Sequence, residues 1–145
     1  MSTSSRRLAA ILLIVLPTVV FGGASILRLL IDDPAYAANP LRQDLWRAGH
    51  AHAGILLLLS LVVLRYVDET ALGRRARWFA KHATPLSAIL LPAGFFLSVL
   101  SPEATEPNAL INLAYLGAVV LTAGLLTVGF GLLREPAAVP SVPSR

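Results

Sequence analysis

The chain contains no cysteine among its 145 residues. This absence excludes disulfide bonds, iron–sulfur clusters, thiolate zinc sites and cysteine nucleophiles, and it leaves the redox compartment open. Charged residues are also scarce, at 14% of the chain, against about a quarter in soluble domains. With 56% hydrophobic residues and a mean hydropathy of +0.72, the composition indicates a single integral membrane domain covering residues 1–145.

Four apolar stretches approach or exceed the length that crosses roughly 30 Å of hydrocarbon as a helix. They predict an all-α membrane protein, a bundle of four transmembrane helices at about 8–31, 46–66, 83–100 and 110–133, with a disordered tail at 135–145. A signal peptide is the alternative for the first stretch, because Arg6 and Arg7 precede it and Gly22-Gly23-Ala24 offers small residues for cleavage. The apolar run continues to Ile31, which favours a retained helix.

The basic residues predict the orientation. Nine of the twelve fall in the N-terminal tail, the second loop and the C-terminal tail; the other three are Arg28, Arg42 and Arg47. Basic loops stay on the cytoplasmic side, so we expect a multi-pass protein of the cell membrane with both termini in the cytoplasm. The positive net charge of +4 therefore points to topology and anionic lipid rather than to nucleic acid.

Two connecting segments have a distinctive composition. In the outer loop at 32–45, Pro34, Asn39 and Pro40 predict an irregular conformation. The inner loop contains the basic and aromatic stretch 74–81, which suits the headgroup layer. This stretch is interpreted as a topology anchor, with specific lipid or partner binding as the alternative.

Small or polar stripes mark the faces that pack inside a membrane bundle. At about 100° per residue, one such stripe is present on each predicted helix. The stripes are Thr18, Gly22, Ser25, Arg28 and Asp32; then Gly49, Ala53 and Ser60; then Ser87, Gly94, Ser98 and Ser101; and finally Asn108, Asn112, Tyr115 and Thr122. On the opposite face of the last helix, Gly117, Gly124 and Gly131 are spaced by seven. This glycine face favours packing within the chain, with a homo-oligomer or a membrane partner as the alternative.

Several polar residues are expected at one depth in the outer half of the bilayer, where polar side chains are costly and suggest a function. The candidate polar cluster comprises Arg28, Asp32, His50, His52, Asn112 and Tyr115. For each member, a structural interpretation stands beside the functional one. The histidines can be interfacial, Arg28 can pair with Asp32 four residues on, and Asn112 and Tyr115 can be packing and belt residues.

His50 and His52 are the candidate metal ligands. Residues two apart on a helix point about 200° from each other, so these two cannot hold one metal ion while the segment is helical. They lie to either side of the Gly49–Ala53–Ser60 stripe and can therefore reach two different helices. His82 lies at the other end of the bundle, so a three-histidine site within one chain is not expected.

The segment from Trp46 to Gly54, with His50-Ala51-His52 at its centre, resembles histidine-bearing helices of the haem-copper oxidase-like and nitric-oxide-response membrane families. That resemblance implies haem or copper on axial histidines, but it covers only this segment, and no second histidine-bearing helix stands at the same end. The whole chain resembles small uncharacterised four-helix membrane proteins of actinobacteria in its alanine- and arginine-rich usage. This wider resemblance implies a four-helix fold and no particular activity.

The leading hypothesis is a non-enzymatic accessory or interaction subunit, with no cofactor. A haem- or metal-linked redox protein or sensor using His50 or His52, with further ligands from an oligomer, is the second hypothesis. A pathway for protons or small solutes along the interior stripes is the third. Hydrolysis is the weakest, because no serine, histidine and acid fall at a common point.

Overall fold

The computed structural model describes residues 1–134, and the helices in this part of the chain account for its regular structure. They are α1 (Thr3–Asp32), α2 (Pro34–Ala37), α3 (Pro40–Val67), α4 (Arg74–Leu97) and α5 (Asn112–Leu133), with a 3₁₀ turn at Ala109–Ile111 before α5. The all-helical prediction is confirmed. The predicted tail at 135–145 lies outside the described residues.

Within the described part of the chain, three helical segments are long and apolar enough to cross a membrane: Thr3–Asp32, Pro40–Val67 and Ala109–Leu133. The membrane-spanning character predicted from composition is thereby supported for three of the four expected spans. Helix α4 is not among them, and four of its first eight residues are basic.

The prediction of an irregular segment through residue 45 is wrong, because α3 already begins at Pro40. Asn39 is the N-cap, and its Oδ1 accepts a hydrogen bond from the amide of Arg42 at 3.1 Å. Proline suits the first helical position, where its missing N–H would have had no partner in the helix. Asp33 caps the short α2 in the same way, accepting from the amides of Ala35 and Tyr36 at 2.9 and 3.2 Å.

The basic stretch 74–81, predicted as a loop, forms the first turns of α4. Only residues 68–73 connect α3 to α4. Arg77 stabilises this connection, because its Nη2 donates to the carbonyls of Thr70 and Leu72, each at 3.0 Å. The basic residues of the second loop are therefore held on a helix rather than on a mobile loop.

Helices α3 and α4 form the centre of the fold; α1 packs mainly on α3, and α5 mainly on α4. Two buried apolar clusters hold these layers together. One contains Leu12, Leu56, Leu57, Leu64, Ala88, Leu91 and Ala114; the other contains Val63, Val67, Leu72, Ala80 and Val128. Among these residues α1 supplies only Leu12, so α1 is the least embedded of the long helices.

The glycines reveal how α4 and α5 run against each other. A Cβ added at Gly94 would lie 2.4 Å from the amide nitrogen of Ala114, and one at Gly124 would lie 2.5 Å from Cβ of Ala83. Residue numbers rise along one helix as they fall along the other, so the two helices are antiparallel. Such short separations require a residue without a side chain, as at close helix contacts in membranes.

Candidate functional site

The two candidate ligands on α3 contact different helices. His50 lies against α1, where a Cβ added at Gly23 would be 2.8 Å from its Nε2. His52 Nδ1 lies 2.7 Å from the carbonyl oxygen of Ala48, and its ring centroid is 5.2 Å from that of Phe95 on α4. The two rings therefore reach different helices, as predicted, and Gly49 and Ser60 of the small-residue stripe are buried.

Arg28 and Asp32 do not join the histidines. Arg28 Nε lies 3.3 Å from Asp32 Oδ2, and the two side chains are 83% and 61% exposed. The prediction that Arg28 points into the bundle is therefore wrong. A carboxylate one turn further along the same helix satisfies the guanidinium, so burial brings no additional benefit.

The polar stripe of α5 does not face the bundle interior as predicted. Asn112, Tyr115 and Thr122 are exposed, Tyr115 by 67%. Asn112 Nδ2 donates to the Ala109 carbonyl at 2.9 Å, and Thr122 Oγ1 donates to the Ala118 carbonyl at 2.8 Å. These hydrogen bonds give Asn112 and Thr122 partners on α5 or the turn before it, so the two residues do not need the bundle interior.

The glycine face of α5 instead packs inside the chain. Gly117, Gly124 and Gly131 are all buried. Added Cβ atoms at these positions would lie 2.9 Å from the amide nitrogen of Leu91, 2.5 Å from Cβ of Ala83 and 2.7 Å from Cγ of Leu72, respectively. The leading interpretation, packing of this face within the chain, matches the structure, in which α4 and Leu72 cover the three glycines. Of the six cluster residues, the structure brings together only Arg28 with Asp32.

An aromatic cage that sequence reasoning missed occupies the end of the bundle between α2, α3 and α4. The buried guanidinium of Arg42 lies with its central carbon 4.8 Å from the ring centroid of Trp46 and 5.6 Å from that of Tyr36. Arg42 Nε donates to the Val99 carbonyl at 3.1 Å. Trp46 also meets Phe96 edge-on, with centroids 5.9 Å apart. Burial raises the pKa of Tyr36.

One signal in the sequence could have revealed this cage. Asn39-Pro40 begins a helix, which places Arg42 and Trp46 one turn apart on the same face. A cation held over aromatic faces is stabilised by about 0.5–2 kcal/mol, more when water is excluded. The cage therefore fixes the relative positions of α2 and α3 and of the end of α4.

A second missed cluster lies at the opposite end, where the start of α1, the 68–73 connection and the start of α4 meet. We call this the basic end. Lys81 Nζ lies 2.7 Å from Asp68 Oδ1 and donates to Ser2 Oγ at 2.9 Å. The Ser2 amide donates to Asp68 Oδ2 at 2.6 Å, and Ser2 Oγ donates to the buried Ser5 Oγ at 3.1 Å.

The environment of Asp68 favours its charged form. Burial opposes ionisation, but the hydrogen bonds from Lys81, Ser2 and Ser5 and the positive charge of Lys81 outweigh it. The pKa of Asp68 consequently lies well below its usual range. No sequence spacing indicates this pairing, because its members are joined only by the packing of three segments.

Within residues 1–134, no group of three or more histidine, cysteine, aspartate or glutamate side chains is placed to hold a metal ion. The titratable groups that do converge, Lys81 with Asp68, are engaged with each other and with serine hydroxyls. The Lys81–Asp68 cluster and the aromatic cage therefore hold helices together, one at each end of the bundle.

Comparison of the chain with protein-family models, with curated proteins and with solved structures gives no match. The class of the protein is accordingly defined by its own features. Within residues 1–134 it is an all-helical protein with three helices able to span a membrane, built around the central helices α3 and α4.

Proposed function

We propose that the protein is a four-span integral membrane protein that acts as a non-enzymatic accessory or interaction subunit, and that it associates through the outward face of α5. The observation that carries this proposal is a depression of about 420 Å³ on that face, lined by Ala118, Val119, Thr122, Ala123 and Leu126. We call it the α5 groove.

The side chains of the α5 groove suit helix–helix contact. Ala118 and Thr122 are one turn apart, and both are exposed. Small residues at this spacing allow a neighbouring helix in a membrane to approach closely. The Thr122 hydroxyl is already bonded to the Ala118 carbonyl, so it can meet an apolar partner without losing a hydrogen bond. The glycine face of α5 is turned inward, which leaves this face for association.

We take α5 of a second copy as the occupant of the groove. Val119 and Leu126 project beside the small residues and are 66% and 53% exposed. A surface with both ridges and hollows is self-complementary about a two-fold axis, which is how most homodimers form. Two copies related in this way bury the ridges of each α5 against the hollows of the other.

The fourth span in this proposal is α4. Its 24 residues extend about 36 Å, enough to cross the hydrocarbon layer. Its polar residues Thr84 and Ser87 are fully buried in the bundle, and Ser87 Oγ donates to the Ala83 carbonyl at 2.8 Å. Helix α4 also packs along both α3 and α5, and the basic residues that lower its hydropathy are confined to its first eight positions.

Cysteine labelling tests the four-span topology, and the cysteine-free chain makes each introduced thiol unique. Gly73 and Thr105 lie at opposite ends of the bundle, and both are exposed. In intact cells an impermeant thiol reagent should label Thr105→Cys and spare Gly73→Cys until the membrane is permeabilised. Labelling of both variants in intact cells would show that α4 does not cross the membrane.

Disulfide crosslinking in native membranes tests the α5 groove. Thr122→Cys should form a product of twice the chain mass upon mild oxidation. Val20→Cys, on the 74% exposed lipid-facing side of α1, is the control and should remain monomeric. Adding Ala118→Leu to Thr122→Cys fills the hollow and should reduce the product.

The remaining outcomes are informative as well. A product of another mass at Thr122 would replace the second copy with a different membrane protein and overturn self-association. Equal crosslinking of Val20→Cys and Thr122→Cys would reflect random collision. The absence of any product along the exposed face of α5 would overturn the interaction role.

A further inference from the structure

The basic end contains a groove of about 310 Å³ between the start of α1 and the start of α4. Its lining combines cationic, hydroxyl and aromatic side chains: Ser4, Leu72, Arg74, Arg77, Trp78 and Lys81. The ion pair of Lys81 with Asp68, and the hydrogen bond of 3.2 Å from Lys81 Nζ to Ser4 Oγ, hold the two helices at this separation.

Positive charge at the basic end exceeds what its acids can neutralise. Among the described residues, the acids at this end are Asp68 and Glu69, which are already paired with Lys81 and Arg65. Among residues 1–134, six arginines at this end form no ion pair, namely Arg6, Arg7, Arg74, Arg75, Arg77 and Arg134. In addition, the buried Nε–H of Arg77 has no hydrogen-bond acceptor within the described residues. The groove therefore has cations available for an anion.

We propose that this groove binds the phosphate headgroup of an anionic glycerophospholipid. The inference rests on the membrane placement in the proposed function, since the apolar runs of α1 and α4 begin just beyond the groove. Arginine binds phosphate through a planar fork of donors, which makes the exposed Arg74 a suitable ligand, while Arg77 adds positive charge to the lining. Clusters of basic residues beside a membrane helix attract anionic lipids.

The surface beyond the groove fits the rest of a lipid molecule. Trp78 is 64% exposed and stacks on His82, with ring centroids 4.6 Å apart. Ile89, 66% exposed, lies on the same face of α4 three turns further into the apolar region. An indole ring favours the layer between headgroups and acyl chains. A soluble anion would use the arginines but not this apolar track, which is why a lipid is the favoured occupant.

Fluorescence quenching tests the proposal in nanodiscs that contain the full chain. The chain has two tryptophans, and Trp46→Phe leaves Trp78 as the single reporter. Nanodiscs of phosphatidylcholine receive equal small amounts of brominated phosphatidylglycerol or brominated phosphatidylcholine. Brominated phosphatidylglycerol should quench Trp78 more strongly, because the anionic lipid accumulates beside it.

Matched arginine variants distinguish a lipid-binding site in the groove from diffuse electrostatic attraction between the basic end and anionic lipid. One arginine near a membrane surface is worth about a fivefold change in anionic lipid affinity. Arg74→Gln should therefore weaken the phosphatidylglycerol preference about fivefold, and Arg74→Lys, which keeps the charge but lacks the planar fork, should retain only part of it. Arg7→Gln removes the same charge from outside the groove lining and should change the preference less than twofold.

Equal losses in Arg74→Gln and Arg7→Gln would overturn the site and leave only diffuse electrostatics. Inorganic phosphate that abolishes the preference at constant ionic strength would identify a soluble anion as the occupant and overturn the lipid assignment. If neither brominated lipid quenches Trp78, the membrane placement itself fails. The crosslink of Thr122→Cys, measured in parallel, reports the proposed function independently of these outcomes.

Discussion

The ammonium group of Lys81 and the carboxylate of Asp68 form an ion pair of 2.7 Å from which water is largely excluded, since the two side chains are only 10% and 13% exposed. The pair joins α4 to the end of α3, and through Ser2 it also joins the start of α1. Three segments distant in sequence therefore meet at one charge pair. Its removal should destabilise the whole basic end.

We expect Lys81→Met to lower the free energy of unfolding by about 3–5 kcal/mol, because it leaves Asp68 charged and poorly solvated. Thermal unfolding in detergent measures the loss. Glu69→Gln is the control, because it breaks the exposed pair of Glu69 with Arg65 and should cost less than about 1 kcal/mol. Similar losses in the two variants would mean that the Lys81–Asp68 pair behaves as a surface ion pair.

The stabilisation from Asp68 should depend on pH. The pKa of Asp68 is depressed in the folded protein, so the carboxylate stabilises the fold when pH exceeds its unfolded pKa of about 3.9. This contribution is lost as pH falls below that value towards the lower folded pKa. The stability difference between the wild type and Asp68→Asn should therefore be constant near neutral pH and shrink below about pH 4. A difference that grows on acidification would contradict the assignment.

The Arg28–Asp32 pair should contribute little. Because both side chains are exposed, Arg28→Ala should change stability by only about 0.3–0.5 kcal/mol, and Arg28→Lys by less. Arg28→Ala and Asn112→Leu should be additive within about 0.3 kcal/mol, since the two residues belong to separate local interactions. A double-mutant cycle in detergent checks this, and a larger coupling energy would restore the outer polar cluster.

Two glycines on α5 should respond oppositely to alanine. Gly124 has no room for a Cβ, which would lie 2.5 Å from Ala83, whereas Gly129 has nothing within 4 Å of an added Cβ. Gly124→Ala should destabilise by about 1–3 kcal/mol through overpacking. Gly129→Ala should be neutral, or stabilising by up to about 1 kcal/mol through helix propensity. Equal melting temperatures for the two variants would contradict the α4–α5 packing.

Much of the helical framework follows from the sequence, because hydrophobic runs and their lengths are strong local signals. The inward-facing small-residue stripe of α3 also follows from the sequence. Its residues Gly49 and Ser60 lie in the middle part of the helix and are buried by neighbouring helices. The starts of α3 and α4 were misplaced. Hydropathy marks where a chain becomes apolar, whereas Asn39 and Gly73 mark where the helices begin.

The candidate cluster failed for a physical reason. The rule that polar residues face inward holds where no other partner exists, whereas Arg28 and Asn112 have partners on their own helix or the turn before it. The seven-residue spacing of Gly117, Gly124 and Gly131 was the better indicator of the interior face of α5, since it repeats along one side of a helix. The Lys81–Asp68 pair could not be predicted, because only the assembled fold brings its members together.

Helix α1 is fastened at both of its ends. At one end Ser2 bonds to Asp68, and at the other the chain continues directly into Tyr36, whose ring lies 5.5 Å from that of Trp46. Between them the contact with α3 includes Gly23 beneath His50 and Gly54 beside Val19. A helix held at both ends cannot separate from its neighbour one turn at a time. Its separation requires the contacts at both ends to break together, so α1 should leave the bundle in a single cooperative step rather than by fraying.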